Sequence, residues 1–118
     1  MTSQKPYLIS AIHEWCEDNG FTPYLSVMVD KNTMVPMQYV ENNQIVLDLS
    51  DTAAKNLIID KQWITFKASF GGIPNDIAVP TCNVTAIFAR ENGQGMQFQV
   101  EPFIDDTPRK SGGLRLVK

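Results

Sequence analysis

The stretch Trp63-Ile-Thr-Phe-Lys-Ala-Ser-Phe70 alternates strictly. Ile64, Phe66, Ala68 and Phe70 fall on one face, and Thr65, Lys67 and Ser69 on the other. That period of two is what a half-buried β-strand requires. Gly71-Gly-Ile-Pro74 follows as a turn. The same period recurs on both sides of this strand. Residues 24–29 alternate after Pro23, and Asp30-Lys-Asn32 turns the chain. Val35–Val40 and Gln44–Leu49 predict a hairpin about Glu41-Asn-Asn43, because Asn tolerates positive φ. Ser50 or Asp51 is placed to cap a single helical turn through Thr52-Ala-Ala-Lys55. Ile77–Val79, Val84–Arg90 and Met96–Val100 predict three more short strands, the last two joined by the Gly-rich turn Glu91-Asn-Gly-Gln-Gly95.

Only the segment before Pro23 has a helical period. Leu8, Ile9, Ile12, Trp15 and Cys16 recur at helix spacing over residues 6–18, and Tyr7 and Ala11 widen the stripe. Pro6 suits the first turn, where a missing N–H costs nothing. Gly20 can end the helix in the left-handed conformation. So broad a stripe predicts that part faces the core and part a second subunit. One helix followed by six or seven short strands makes a mainly β domain with an N-terminal helix, a small sandwich or barrel.

The chain has 118 residues, enough for one domain with its own core. Its longest apolar runs fall well short of the ~20 residues of a membrane span. Met1–Pro6 contains no apolar signal core, so the expected compartment is the cytoplasm. Cys16 and Cys82 are too few and too far apart for a disulfide framework or a zinc site, and two free thiols are expected. The formal net charge is −3, but it is uneven. Residues 109–118 hold four basic side chains and no acid; residues 1–108 hold 6 Lys/Arg against 13 Asp/Glu. An acidic body is a poor match for a nucleic-acid backbone.

No catalytic constellation is visible. His13 is the only histidine and lies three residues before Cys16, but a Cys–His pair needs an orienting third group and an oxyanion site. Gly71-Gly72 and Gly93-Gln-Gly95 lack the strand–loop–helix context and the lysine of a phosphate loop. No metal, cofactor or enzymatic activity is expected. The useful question is what the domain binds.

Two features bear on that. The segment Arg109-Lys-Ser-Gly-Gly-Leu-Arg-Leu-Val-Lys118 sets Leu114, Leu116 and Val117 among basic residues behind a Gly-Gly swivel. Glu101–Pro108, with two prolines and three acids, precedes it like a leash. An apolar, basic tip on a leash suggests a docking peptide; the alternative is a last strand folding back on the core. Second, Phe70 leads into Gly71-Gly72, Ala53-Ala54 puts two small side chains on the one-turn helix, and Ala68 is small amid larger neighbours; small residues beside aromatics can make a shallow groove for an extended peptide or else merely pack.

Several ordered motifs resemble one family. Phe70-Gly-Gly-Ile-Pro74, Val79-Pro80 and Ala86-Ile-Phe-Ala-Arg-Glu-Asn-Gly93, with Lys5-Pro-Tyr-Leu8, Phe21-Thr-Pro-Tyr-Leu25, Val35-Pro-Met37 and Gln44-Ile-Val-Leu47, are similar to stringent starvation protein B, the specificity-enhancing factor of the ClpXP protease. The resemblance runs from about Lys5 to Phe98 and resumes over Gly112–Lys118. It implies a non-enzymatic adaptor with an Sm-like β-barrel or sandwich and a flexible tail, which captures ssrA-tagged proteins and delivers them to ClpX.

The resemblance also implies site residues. The tag groove maps to Ala53, Ala54, Lys67, Ala68, Ser69 and Phe70, with Gln44 and Val46 as weaker members. The tip Leu114-Arg115-Leu116-Val117-Lys118 would dock on the zinc-binding N-terminal domain of ClpX, the zinc being the partner's. Tyr7, Leu8, Ala11, Ile12 and Trp15 would form a homodimer interface. The implied layout is a body over 1–101, a linker over 102–113 and a tip over 114–118. This linker is short for the family, spanning at most roughly 40 Å when extended. The alternative reading is an Sm-like RNA-binding protein, which the acidic body disfavours.

Overall fold

The computed structural model describes residues 3–103. The expected tip Leu114–Lys118, and the expected linker beyond residue 103, lie outside them.

Helix α1 spans Lys5–Asp18, with Pro6 in its first turn. It stops where Gly20 takes φ +71°, which lets the Phe21 N–H reach back to the Cys16 carbonyl oxygen at 2.8 Å. Glycine takes that conformation without a Cβ clash. Ile9 and Cys16 are fully buried, whereas Tyr7 and Ala11 on the opposite side are exposed.

Seven strands follow: β1 (Pro23–Met28), β2 (Gln44–Asp48), β3 (Lys55–Ile59), β4 (Trp63–Phe70), β5 (Ile73–Pro80), β6 (Val84–Ala89) and β7 (Gly95–Gln97). They form two antiparallel sheets, ordered β2-β1-β6-β7 and β3-β4-β5. The inward faces supply one core. Leu25 and Val27, Ile45 and Leu47, Ile64 and Phe66, Ile77 and Val79, and Val84 and Ile87 meet Ile9 of α1 there. An isolated pair, Met34 and Ala78, exchanges two backbone hydrogen bonds of 2.7 and 3.0 Å and ties the chain after β1 to the outer edge of β5.

The mainly β architecture and the N-terminal helix match the sequence reading. The sheets do not close, however, so of the two expected forms the sandwich is the one adopted. Among the described residues no edge strand of one sheet, β2 or β7, pairs with an edge strand of the other, β3 or β5. β7 has three residues, and β3 carries a register shift between Lys55 and Ile58, with Asn56 at φ +57°.

Three local expectations need correction. The turn at Asn42 and Asn43 forms as predicted, with φ of +54° and +62°. Its first arm is not a strand, though: Pro36 cannot donate to a ladder, and Met37–Tyr39 winds into a 3-10 turn. β2 pairs with β1 instead. The turn after Ser50 closes through Ala53 and Ala54 N–H bonds to the Ser50 carbonyl, but Lys55 already belongs to β3, a strand the sequence reading did not contain. Finally, β5 begins at Ile73, because Gly71 and Gly72 (φ +60° and +82°) make a two-residue hairpin turn tighter than the one expected.

Lys5 holds the chain's last described segment to the body. Its side chain is 3 % exposed, and its ammonium donates to the carbonyl oxygens of Cys82 (2.9 Å), Val84 (2.9 Å) and Gln99 (2.7 Å). Burial lowers its pKa, and Glu101 works against that shift. Ser3 donates to the Glu101 carboxylate at 2.9 Å, and Phe103 sets its ring edge-on to Trp63 at 5.7 Å.

Candidate functional site: a groove between two open strand edges

A groove of about 550 Å³ opens where β2 of one sheet approaches β4 of the other. Val46, Leu47 and Asp48 form one wall, and Lys67, Ala68, Ser69 and Phe70 the other, with Phe66 beneath. Thr52, Ala53 and Lys55 close one end, and Pro74 borders it from β5. Ala53 and Ala68 contribute only small side chains to this lining, beside the larger Val46 and Phe70.

The ladder fixes where the backbone points. The Leu49 N–H donates to the Pro23 carbonyl, and the Val29 N–H to the Asn43 carbonyl. Peptide groups of odd-numbered residues in β2 therefore face β1, and those of Val46 and Asp48 face away, toward the groove. On β4, Asp60 bonds to the Trp63 carbonyl, so odd-numbered residues face β3. Pairing with β3 extends only to Lys55 opposite Lys67. Ser69, two residues further, turns its peptide group to a side where no described strand pairs. Two open strand edges thus border one groove, an arrangement that accepts an extended peptide by main-chain hydrogen bonding.

Electrostatics add a sign. Lys55 and Lys67 are both exposed at the rim, and Asp48 is the only acid among the lining residues. Lys55 donates to the Asp51 carbonyl at 3.1 Å, which keeps its charge beside the groove.

Of the residues expected at a tag site, Ala53, Lys67, Ala68, Ser69, Phe70 and Val46 come together in this groove. Ala54 does not: it is 6 % exposed and belongs to the core. Gln44 also lies off the groove, at the far end of β2 beside the Asn42-Asn43 turn. Lys55, Asp48 and Thr52 were not anticipated. Asp48 shares the outward face of Val46 by simple alternation, so that signal was present; Lys55 was hidden because β3 was.

The stripe on α1 divides. Tyr7 is 56 % exposed and Ala11 is exposed; Leu8, Ile12 and Trp15 are half-buried, with Ile12 packed on the core and Trp15 edge-on to Phe21 at 5.5 Å. His13 lies 3.0 Å from the Leu49 carbonyl oxygen through Nε2 and 3.8 Å from Glu17. Cys16 is fully buried and burial raises its thiol pKa, so the two make no nucleophile–base pair. Among the described residues no group of His, Cys, Asp or Glu could hold a metal ion, and no helix is long and apolar enough to cross a membrane.

The family model described as stringent starvation protein B matches residues 3–113, nearly the whole chain. The chain belongs to the stringent starvation protein B family. A relative in Haemophilus influenzae, named stringent starvation protein B homolog, is 42 % identical over 106 residues, covering 87 % of this chain and 69 % of the relative. The family match includes every residue that lines the groove and the whole of α1.

Proposed function

We propose that this protein is a proteolytic adaptor that binds ssrA-tagged proteins in the β2–β4 groove and tethers them to the ClpX unfoldase. The observation that carries the reading is the pair of open strand edges, at Val46/Asp48 and at Ser69, around one apolar-floored groove. Such a site offers main-chain hydrogen bonds to an extended peptide end and no catalytic groups. Membership of the stringent starvation protein B family supports it.

In this reading Phe66, Ala68 and Phe70 bury the peptide's apolar side chains, while Lys55 and Lys67 attract its acids. The segment Leu114–Lys118 supplies the contact with the zinc-binding domain of ClpX, Leu114 and Val117 as anchors and Arg115 and Lys118 as charge partners. Two weak contacts joined by one chain make the second event intramolecular, and effective concentration multiplies affinity. The adaptor then lowers the KM of ClpXP for tagged substrate with less effect on kcat. Pairing of α1 through Tyr7, Leu8, Ala11, Ile12 and Trp15 makes the working unit a homodimer, since a two-fold axis presents the same helix face twice. The test is degradation of a tagged substrate by ClpXP with the full chain and with a chain lacking Leu114–Lys118. An unchanged KM on deletion would refute the tethering role.

A further inference from the structure

Lys5 carries its charge inside the body, and its ammonium is fully engaged. Its three acceptors are main-chain oxygens from two parts of the chain: Cys82 and Val84 around the start of β6, and Gln99 past the end of β7. An ammonium has three donors, so the site is saturated. Around it the segment 98–103 is fastened at successive points. The Phe98 N–H donates to the Thr85 carbonyl at 2.8 Å, and the Lys5 ammonium lies 5.7 Å from the centre of the Phe98 ring. The Glu101 N–H donates to the Cys82 carbonyl at 2.9 Å, and the Glu101 carboxylate accepts from Ser3. Phe103 then rests edge-on against Trp63. β7 has only three residues, so the attachment of this segment depends on these contacts.

Packing alone does not call for a charge here. An apolar side chain is buried at lower cost, because a buried ammonium gives up its water. What the ammonium adds is position: three oxygens on two segments fix where Gln99 sits against β6. We propose that Lys5 is a positioning residue for the tether, a latch that sets where the chain leading to Leu114 starts and how long it is. This rests on the tethering role proposed above. With the latch closed the tether starts after Phe103, beside Trp63 at the first residue of β4, whereas the groove lies toward the other end of that strand, at Phe66–Phe70. Ten residues, 104–113, then separate anchor from tip, a reach of roughly 35 Å. With the latch open the tether starts after β7, and sixteen residues, 98–113, separate them. Effective concentration falls as about the −3/2 power of tether length, so opening the latch dilutes the tip about twofold.

The test compares the full-length parent with Lys5→Met, with the pair Glu101→Ala and Phe103→Ala in one chain, and with the parent carrying six Gly/Ser residues inserted after Phe103. Hydrogen exchange reads the latch. The Phe98 and Glu101 N–H groups should be protected in the parent and exchange about tenfold faster or more in Lys5→Met. Degradation of an ssrA-tagged substrate by ClpXP reads the consequence. Lys5→Met and the insertion should each raise KM about twofold with kcat unchanged, and both should keep the parent's affinity for tag peptide. A merely structural role for Lys5 does not produce that match, because the insertion leaves the body intact. The Glu101→Ala, Phe103→Ala pair alters half-buried positions that do not endanger folding. It frees residues 101–103 and should raise KM by about 1.5-fold, so the inference stays testable even where Lys5→Met does not fold. Unchanged protection of residues 98–103 in the substituted chains, or a KM that the insertion raises and the substitutions do not, would overturn it, as would a KM that the insertion leaves unmoved. An unchanged KM on removal of Leu114–Lys118 would instead refute the tethering role on which it rests.

Discussion

Lys55 stands directly opposite Lys67 across the β3–β4 pair, both exposed at the rim of the groove. Like charges facing each other on a sheet cost stability, about 0.2–1 kcal/mol. In the proposed function, attraction of an acidic peptide gives that cost a use. Lys67→Thr should therefore leave thermal stability equal or slightly raised, while weakening tag binding several-fold and flattening its salt dependence. A thermal melt and anisotropy titrations at two salt concentrations check this. Reduced stability with unchanged binding would assign Lys67 a structural role instead.

Ala11 lies in the exposed part of α1, between Tyr7 and Trp15. If α1 forms the two-fold contact, Ala11→Arg places two guanidinium groups against each other at the axis and should yield monomers of half the mass in sedimentation. The monomer should still bind tag, because no groove residue comes from α1.

Gly95 has no room for a side chain. A Cβ there would collide with the Ile87 carbonyl oxygen and the Phe88 backbone, both main-chain atoms that cannot rotate away. Gly95→Ala should break the β6–β7 pairing and cost about 1–3 kcal/mol, read by urea denaturation. The groove lies across the molecule on β2 and β4, so the folded fraction should keep its tag affinity.

Glu91 fastens the start of β1 to the end of β6. Its carboxylate accepts from the Thr22 N–H and from the Thr22 hydroxyl, each at 2.8 Å, and these bonds hold its pKa down to about 2 from an ordinary 4.5. A carboxyl depressed in the folded state contributes stability that is full above the unfolded pKa and fades as pH falls from about 4.5 toward 2. Glu91→Gln should flatten the acid limb of the stability profile over that window and leave the slope above pH 6 unchanged.

The fold and the groove were unevenly legible. β4 could be read residue by residue because Ile64, Phe66, Ala68 and Phe70 alternate without a break and Gly71-Gly72 ends them. β3 was not legible: Lys55-Asn-Leu-Ile-Ile59 carries a bulge at Asn56 that shifts its period, and three apolar residues in succession have no alternation. Val35–Val40 misled in the opposite way, since its apolar residues resemble a strand and only Pro36 argues otherwise. Both errors meet at the groove. Missing β3 concealed Lys55, and reading 35–40 as a strand concealed that Tyr39 turns back toward Phe70. Ala54 was assigned to the groove with Ala53, but consecutive residues in a turn point different ways, and Ala54 went inward. The long-range pairing of β2 with β1, and the distance between sheets that leaves two edges open, are properties of packing that no local pattern encodes.

The central claim is that the β2–β4 groove binds an ssrA-type peptide. The most direct measurement is fluorescence anisotropy of a labelled tag peptide titrated with the full-length protein and with Ala68→Trp, whose indole would fill the space between Phe70 and Val46. The account predicts saturable binding to the parent and loss of at least tenfold in affinity for a folded Ala68→Trp. Equal binding by both proteins, or no binding by a folded parent, would contradict it.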